Sequence, residues 1–153
     1  MLALLMPIAL LGTGLSAGVL FGGELGIVPF FMIQTPPRYV QVHSFVAGRY
    51  DPFQPICLLT AALADVVLAV GLTDGLARWL CALAAASAAG VSLVSRNRTA
   101  PMGRWLRRLD ADALPADWDS QAFRKRWGVW NRTRTAFAVS AFLINVVATG
   151  ALL

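Results

Sequence analysis

Four long apolar runs alternate with polar segments along the 153-residue chain. The runs cover about residues 2–23, 54–72, 77–95 and 135–153, and each has the roughly 20 residues that a helix needs to cross a bilayer. The connection 71–76 is short, so the second and third runs form a hairpin. The pattern predicts a single all-α domain over residues 1–153, a bundle of four transmembrane helices.

Two segments between the runs are amphipathic rather than apolar. In the segment 36–50, Thr35 resembles a helix N-cap, prolines fill the first turn, and one face carries Tyr39, Val42, His43, Val46 and Tyr50. In the segment 119–131, one side is aromatic with Phe123, Trp127 and Trp130. Its basic side chains, which can extend to lipid headgroups, are Arg124, Lys125 and Arg126. We predict two short interfacial helices on the cytoplasmic side.

Composition and charge support a membrane location. The chain is 58% hydrophobic and 14% charged, against roughly 25% charged residues in soluble domains. Ten of the thirteen Lys and Arg residues lie between Arg96 and Arg134. Basic connections stay in the cytoplasm, so both termini are predicted to lie outside the cytoplasm. The protein itself is predicted to lie in the plasma membrane of a bacterium. The expected partners of the basic segment are lipid headgroups, and the aspartates within it argue against nucleic acid.

The first helix is expected to have two working faces. Its small-residue stripe, Gly14, Gly18 and Gly22, allows a close approach by a neighbouring helix or by a second copy in a homo-oligomer. The opposite face carries Thr13 and, about three turns later, Glu24. We expect Glu24 to face the bundle near its cytoplasmic end, either in a salt bridge with an arginine or in a functional site.

Three buried polar residues are predicted to share one depth in the membrane. Asp65 and Asn145 each lie about 15 Å from the cytoplasmic end of their helices at 1.5 Å per residue, and Thr13 lies at a similar depth. An ionisable group inside a membrane helix is costly and needs a partner. We expect Thr13, Asp65 and Asn145 to form an interhelical clamp rather than a catalytic centre.

Polar residues from separate parts of the chain converge on the cytoplasmic end of the predicted bundle: Glu24, His43, Asp51, Asn97, Asn131 and Arg134. His43 is the only histidine, and imidazole is the usual general base near neutral pH. An apolar pocket with a few polar groups is the usual form of a small-molecule site. One histidine and two separated cysteines, Cys57 and Cys81, make no metal-ligand set, and no nucleotide motif is present. We expect no metal and no cofactor.

Two stretches carry a resemblance to a known family. TPPRYVQVHSFVAGRYDPFQP, residues 35–55, and LPADWDSQAFRKRWGVWNRTRTAFAVSAF, residues 114–142, resemble the membrane family that includes the fungal anthrone oxygenases. The matching positions are His43, Asp51, Pro52, Asn97, Asn131 and Arg134. The resemblance implies four helices and oxidation of an anthrone to an anthraquinone by O2 without a metal or flavin. Many members carry histidine where this chain has Asn131, and the segment 97–101 departs from the usual Asn-x-Pro-x-Asn.

The residues and the resemblance together give a catalytic hypothesis for an apolar phenolic substrate. His43, oriented by Asp51 or Glu24, removes a proton, and Asn131 and Arg134 stabilise the oxyanion. The residues expected to bind substrate are Asn97, Asn131, Arg134, Tyr50 and Trp127. Two alternatives stay open. The protein is a non-catalytic module that binds lipid or a partner, or His43 binds a haem.

Overall fold

The computed structural model describes residues 2–50, 53–73 and 75–152, and within them the chain forms seven α-helices and no strand. Two π-helical turns, Gly23–Ile27 and Ser95–Thr99, join α1 to α2 and α5 to α6. The helices are α1 (Leu2–Gly22), α2 (Val28–Met32), α3 (Pro36–Tyr50), α4 (Phe53–Gly71), α5 (Gly75–Val94), α6 (Ala100–Leu106) and α7 (Ser120–Ala151).

Four stretches, helical in their described residues, are long and apolar enough to cross a membrane, as expected for an integral membrane protein: Leu4–Met32, Pro36–Gly71, Gly75–Leu106 and Ser120–Ala151. The predicted all-α fold with four membrane-length helices is therefore confirmed. The sidedness of the bundle and the interfacial position of its shorter helices stay predictions.

The long helices form a closed bundle in which α1 and α5 each pack against both α4 and α7. Buried side chains fill three levels along its axis. The level farthest from α3 includes Met6 and Leu68, and the middle level includes Leu20 and Leu58. The level beneath α3 is aromatic and is built from Phe31, Tyr39, Phe123 and Trp127 with aliphatic neighbours. The bundle therefore changes from small aliphatic packing at one end to aromatic packing at the other.

Local sequence explains where the helices that frame the aromatic end begin. Pro36 and Pro37 start α3, where their missing N–H groups cost nothing, and the Tyr39 N–H donates to the Thr35 carbonyl at 2.9 Å. Asp119 caps α7, because its carboxylate accepts from the N–H groups of Gln121 at 3.0 Å and Ala122 at 2.9 Å.

Three predicted boundaries are wrong. The segment 119–131 is not a separate helix, because it runs without interruption into the predicted fourth span as the 32-residue α7. No proline or glycine lies between Asn131 and Thr135 to break it, and the Thr135 hydroxyl donates to the Asn131 carbonyl at 2.8 Å. The first and third runs extend past their predicted ends through the π-helical turns into α2 and α6.

The glycine stripe of α1 is packed inside the chain only in part. An ideal Cβ on Gly14 would lie 3.2 Å from the Phe142 ring, whereas one on Gly18 or Gly22 would meet nothing within 4 Å. The closest approach is made by Gly12, where a Cβ would lie 2.6 Å from the Cys57 carbonyl oxygen and 2.9 Å from the Ala61 Cβ. Gly12 therefore sets the α1–α4 contact. A homo-oligomer through the stripe stays a prediction.

Candidate functional site

A cavity of about 420 Å³ lies between the middle level of the bundle and its aromatic end. Its floor includes Leu20 and Leu58, and its roof includes Phe31 and Trp127. Side chains from α3, α4, α7 and both π-helical turns contribute to its wall. The volume is in the range that holds a drug-sized molecule.

Five of the predicted site residues line this cavity: His43, Tyr50, Trp127, Asn131 and Arg134. Glu24 does not line it but contacts one of these five. Asn97 is exposed and is not part of the wall. Asp51 lies outside the described residues, so its predicted contact with His43 stays a prediction.

His43 is held in an aromatic box at the top of the cavity. Its side chain is 4% exposed, and its ring centroid lies 5.3 Å from those of Phe31 and Trp127 and 5.6 Å from that of Tyr39. An ideal Cβ on Gly103 would lie 3.7 Å from the imidazole Cε1, so the backbone of α6 closes the box. Among the described residues, nothing hydrogen bonds to the buried Nδ1. The imidazole is therefore fixed by ring packing rather than by a carboxylate of the described chain.

Asn131 and Arg134 form one hydrogen-bonded network with residues of both π-helical turns. The Asn131 side-chain N–H donates to the Glu24 carboxylate, and the Asn131 carbonyl oxygen accepts from Arg134 Nε at 2.9 Å. The Arg134 guanidinium also donates to the Thr99 hydroxyl at 3.5 Å. Glu24 has a second neighbour, the exposed Arg132, whose Nε lies 3.7 Å from the other carboxylate oxygen. We call Glu24, Asn131, Arg134 and Thr99 the α7 network.

The network gives the cavity one polar wall opposite a mostly apolar interior. Two guanidinium groups besides Arg134, those of Arg96 and Arg107, also line it. Hydrogen-bond donors held at one wall of an apolar cavity suit a ligand with an apolar body and an oxygen that carries or develops negative charge.

Sequence reasoning missed several polar residues of the wall: Gln54, Ser92, Ser95, Arg96, Thr99 and Arg107. Four of the six lie in or beside the second π-helical turn. A signal for both turns exists, because each is followed two residues later by a proline, Pro29 or Pro101. A proline removes the N–H that would bond the carbonyl four residues earlier, and π-helical turns are frequent where that ladder is interrupted and at functional sites.

Arg124 is not the exposed headgroup anchor that the sequence suggested. Its side chain is 3% exposed and donates to the carbonyls of Phe31 at 3.0 Å and Gln34 at 2.7 Å. Its guanidinium also lies 4.6 Å from the centre of the Tyr39 ring. A planar cation with several donors can bond to several carbonyls at once, and the last carbonyls of a helix lack their full set of intrahelical partners. Arg124 thus ties α7 to the roof of the cavity.

The three polar residues expected at mid-depth lie together. Asn145 donates to the Asp65 carboxylate at 3.1 Å and to the Thr13 hydroxyl at 3.5 Å. All three side chains are buried, and none of them lines the cavity. We call this group the mid-depth clamp, and its position away from the cavity supports a structural role.

No group of three or more His, Cys, Asp or Glu side chains among the described residues is placed to hold a metal ion. Cys57 and Cys81 are free thiols. The expectation that the protein works without a metal or cofactor stays a prediction.

The fold and the cavity together define a class of protein. It is a small helical bundle of membrane-spanning length that encloses an apolar chamber with one histidine and one wall of hydrogen-bond donors. The anthrone oxygenase family model matches residues 43–144, which is more than half of the chain, and the chain belongs to this family. No curated protein and no solved structure matches it.

Proposed function

We propose that the protein is a cofactor-free oxygenase that converts an anthrone-like phenolic substrate into a quinone with O2. The observation that carries the proposal is that one cavity is lined by His43, Asn131 and Arg134, three residues that the sequence separates by up to 91 positions. Family membership suggests an oxygenase-type function in general, and the substrate class and the residue roles are our inference.

The proposed reaction balances without a further reactant. The ring CH2 opposite the carbonyl of an anthrone loses a proton to His43, and the electron pair passes into the carbonyl to form an enolate. The carbanion form reduces O2 and bonds to it, and the imidazolium returns the proton to give a hydroperoxide. Loss of the second C–H proton breaks the O–O bond and releases water. One anthrone and one O2 thus give one anthraquinone and one water.

Each residue of the wall has a role in this scheme. The buried imidazole of His43 accepts the proton, and the donors of Asn131 and Arg134 stabilise the enolate oxygen, where charge develops. Tyr50 and Trp127 contact the rings of the substrate. Asp51 as a partner of His43, and Asn97 as a binding residue, are retained only as hypotheses from the family resemblance.

The membrane supplies the setting of the proposal. We infer that the cavity lies at the cytoplasmic end of the bundle in a bacterial plasma membrane and receives its apolar substrate from the lipid. The basic residues of this end support the inference, because Lys125 and Arg126 are exposed where anionic headgroups can bind them.

The proposal is tested with purified protein in detergent, a dihydroxylated anthrone and measured O2. We expect quinone formation above the spontaneous rate, with equal consumption of O2. His43→Ala and Arg134→Ala should each reduce kcat by roughly 10²- to 10³-fold, because each removes a group that acts on the reacting atoms. Arg38→Ala, on the exposed side of α3, is the matched control and should keep full activity.

Two outcomes contradict the proposal. Turnover that is unchanged in both His43→Ala and Arg134→Ala excludes this mechanism. A wild-type protein that does not accelerate the reaction, yet binds vesicles containing anionic lipid through Lys125 and Arg126, supports the non-catalytic module instead. A haem bound through His43 would be visible in the absorption spectrum of the purified protein.

A further inference from the structure

Glu24 stands apart from the other residues of the α7 network. It is the only member that does not line the cavity, and it lies outside the residues 43–144 that match the family. Its side chain is 13% exposed and bonds to Asn131, and among the described residues nothing hydrogen bonds to the Nδ1 of His43. The role of orienting His43, which the sequence suggested for it, therefore has no geometric support.

The contacts of Glu24 give it a different role. A carboxylate can only accept hydrogen bonds, so the side-chain group of Asn131 that faces Glu24 must be its NH2. The amide carbonyl of Asn131 then faces Arg134 Nε and accepts from it at 2.9 Å. Because the Arg134 Nε–H can only donate, the same orientation of the amide satisfies both neighbours. Without the carboxylate, the Asn131 NH2 loses its acceptor, and Arg134 alone holds the amide in place. Glu24 therefore stabilises the end of the amide that Arg134 does not contact.

The effect extends to the cavity through Arg134. Its guanidinium is held on one side by the Asn131 carbonyl and on another by the Thr99 hydroxyl at 3.5 Å, which itself donates to the Ser95 carbonyl at 3.4 Å. These two contacts help to set the orientation of the planar guanidinium beside the cavity that Arg134 lines. The two π-helical turns thus provide both ends of the support, Glu24 on one side and Thr99 on the other.

We propose that Glu24 is a positioning residue that fixes the Asn131 amide, and through it the Arg134 guanidinium, toward the developing oxyanion of the substrate. The inference rests on the proposed oxygenase function for its reaction but not for its geometry. Any ligand with an anionic oxygen at this wall would be stabilised by the same guanidinium.

The experiment compares wild-type protein with Glu24→Ala, Glu24→Met, Glu24→Gln and Arg132→Ala. Glutamine keeps an acceptor for the Asn131 NH2, whereas alanine and methionine remove it. Methionine retains the length of the side chain in case alanine prevents folding. Arg132→Ala removes only the exposed ion pair of Glu24 and is the matched control. Two readouts are taken: steady-state oxidation of a dihydroxylated anthrone, and the ionisation of a bound dihydroxylated anthraquinone, whose neutral and ionised forms differ in colour.

We expect Glu24→Ala and Glu24→Met to lower kcat by roughly 10- to 100-fold with little change in KM, the scale expected when a catalytic donor is misplaced by ~1 Å. The bound anthraquinone should ionise at a higher pH in both variants, because a misdirected guanidinium stabilises its anion less. Glu24→Gln and Arg132→Ala should behave like the wild type in both readouts. A purely structural role for Glu24 would lower the yield of folded protein without moving the ionisation of the bound quinone.

The two readouts separate this inference from the proposed function. In one outcome, the wild type does not oxidise the anthrone, but the bound quinone ionises at a higher pH in Glu24→Ala and not in Glu24→Gln. The positioning role then holds and the oxygenase proposal fails. If turnover is present and the acceptor-free variants shift neither kcat nor the ionisation, the positioning role is overturned. Equal losses in Glu24→Gln and Glu24→Ala also overturn it, because glutamine keeps the acceptor.

Discussion

Asn131 and Asn145 occupy the same face of α7, about four helical turns apart, and each meets a carboxylate from another helix. Asn145 bonds to Asp65 in a layer where neither residue lines the cavity of about 420 Å³. Asn131 donates to Glu24 beside this cavity, and its carbonyl oxygen accepts from Arg134. An asparagine bonded to a carboxylate therefore joins helices at one depth and forms part of the support of a cavity wall at another.

The packing around each pair explains the difference. At mid-depth, Gly12 lets α1 and α4 approach until there is no room for an added methyl group. The polar side chains of the clamp are buried there, and Asn145 bonds to Thr13 and Asp65. Near α3, both α1 and α5 pass through π-helical turns, each of which widens the helix by one residue per turn. The cavity lies beside these turns, and polar groups of its wall can face a ligand there.

Of the two asparagines, Asn131 is expected to give the larger effect when it is replaced by alanine. The effect should be on turnover rather than on stability. It removes the link between Glu24 and Arg134 and one donor from the wall, so kcat should fall by roughly 10²-fold or more. The thermal unfolding temperature in detergent should change less than in Asn145→Ala, because Glu24 keeps Arg132 as a charged neighbour at 3.7 Å. Steady-state kinetics and a melting curve on the same preparation check both halves. A stability loss with normal turnover would assign Asn131 to the same class as Asn145.

Asn145→Ala should show the reverse. The substitution removes the donor to Asp65 and leaves a buried carboxyl group without its amide partner, which costs about 1–3 kcal/mol of unfolding free energy. Turnover measured below the unfolding transition should match that of the wild type, since the mid-depth clamp does not line the cavity. Denaturant titration in mixed micelles measures the first quantity. A fall in kcat without loss of stability would mean that the clamp communicates with the chamber.

Much of this comparison could be predicted from residue spacing alone. The depth of Thr13, Asp65 and Asn145 follows from a rise of about 1.5 Å per residue from each helix end. The shared face of Asn131 and Arg134 follows from the period of 3.6 residues. Both arguments work because the helical segments that carry these residues are regular between the counted positions.

The remaining features depend on contacts that periodicity does not encode. Thr99 and Arg107 lie at or beyond a π-helical turn, so a helical wheel drawn through Ser95–Thr99 gives them the wrong direction. Arg124 is buried because it bonds to the carbonyls of Phe31 and Gln34 at and beyond the end of α2, which are tertiary contacts 93 and 90 residues away in sequence. The continuity of α7 was missed because the polar composition before Thr135 resembles an interfacial segment.

The smallest expected effect comes from a pair of glycines in α1. Gly12→Ala places a methyl group 2.6 Å from the Cys57 carbonyl oxygen and 2.9 Å from the Ala61 Cβ, so α1 must move away from α4 beside the mid-depth clamp. The overlap should outweigh the gain in helix propensity, with a net loss of about 1 kcal/mol or more.

Gly18→Ala is the matched control, because its added methyl group meets nothing within 4 Å. It should be neutral or stabilising by up to about 1 kcal/mol. Thermal unfolding of both variants in one detergent measures the difference. Equal stability of the two variants would show that α1 is packed no more tightly at Gly12 than at Gly18. A loss at Gly18 alone would place a second copy of the chain against that face.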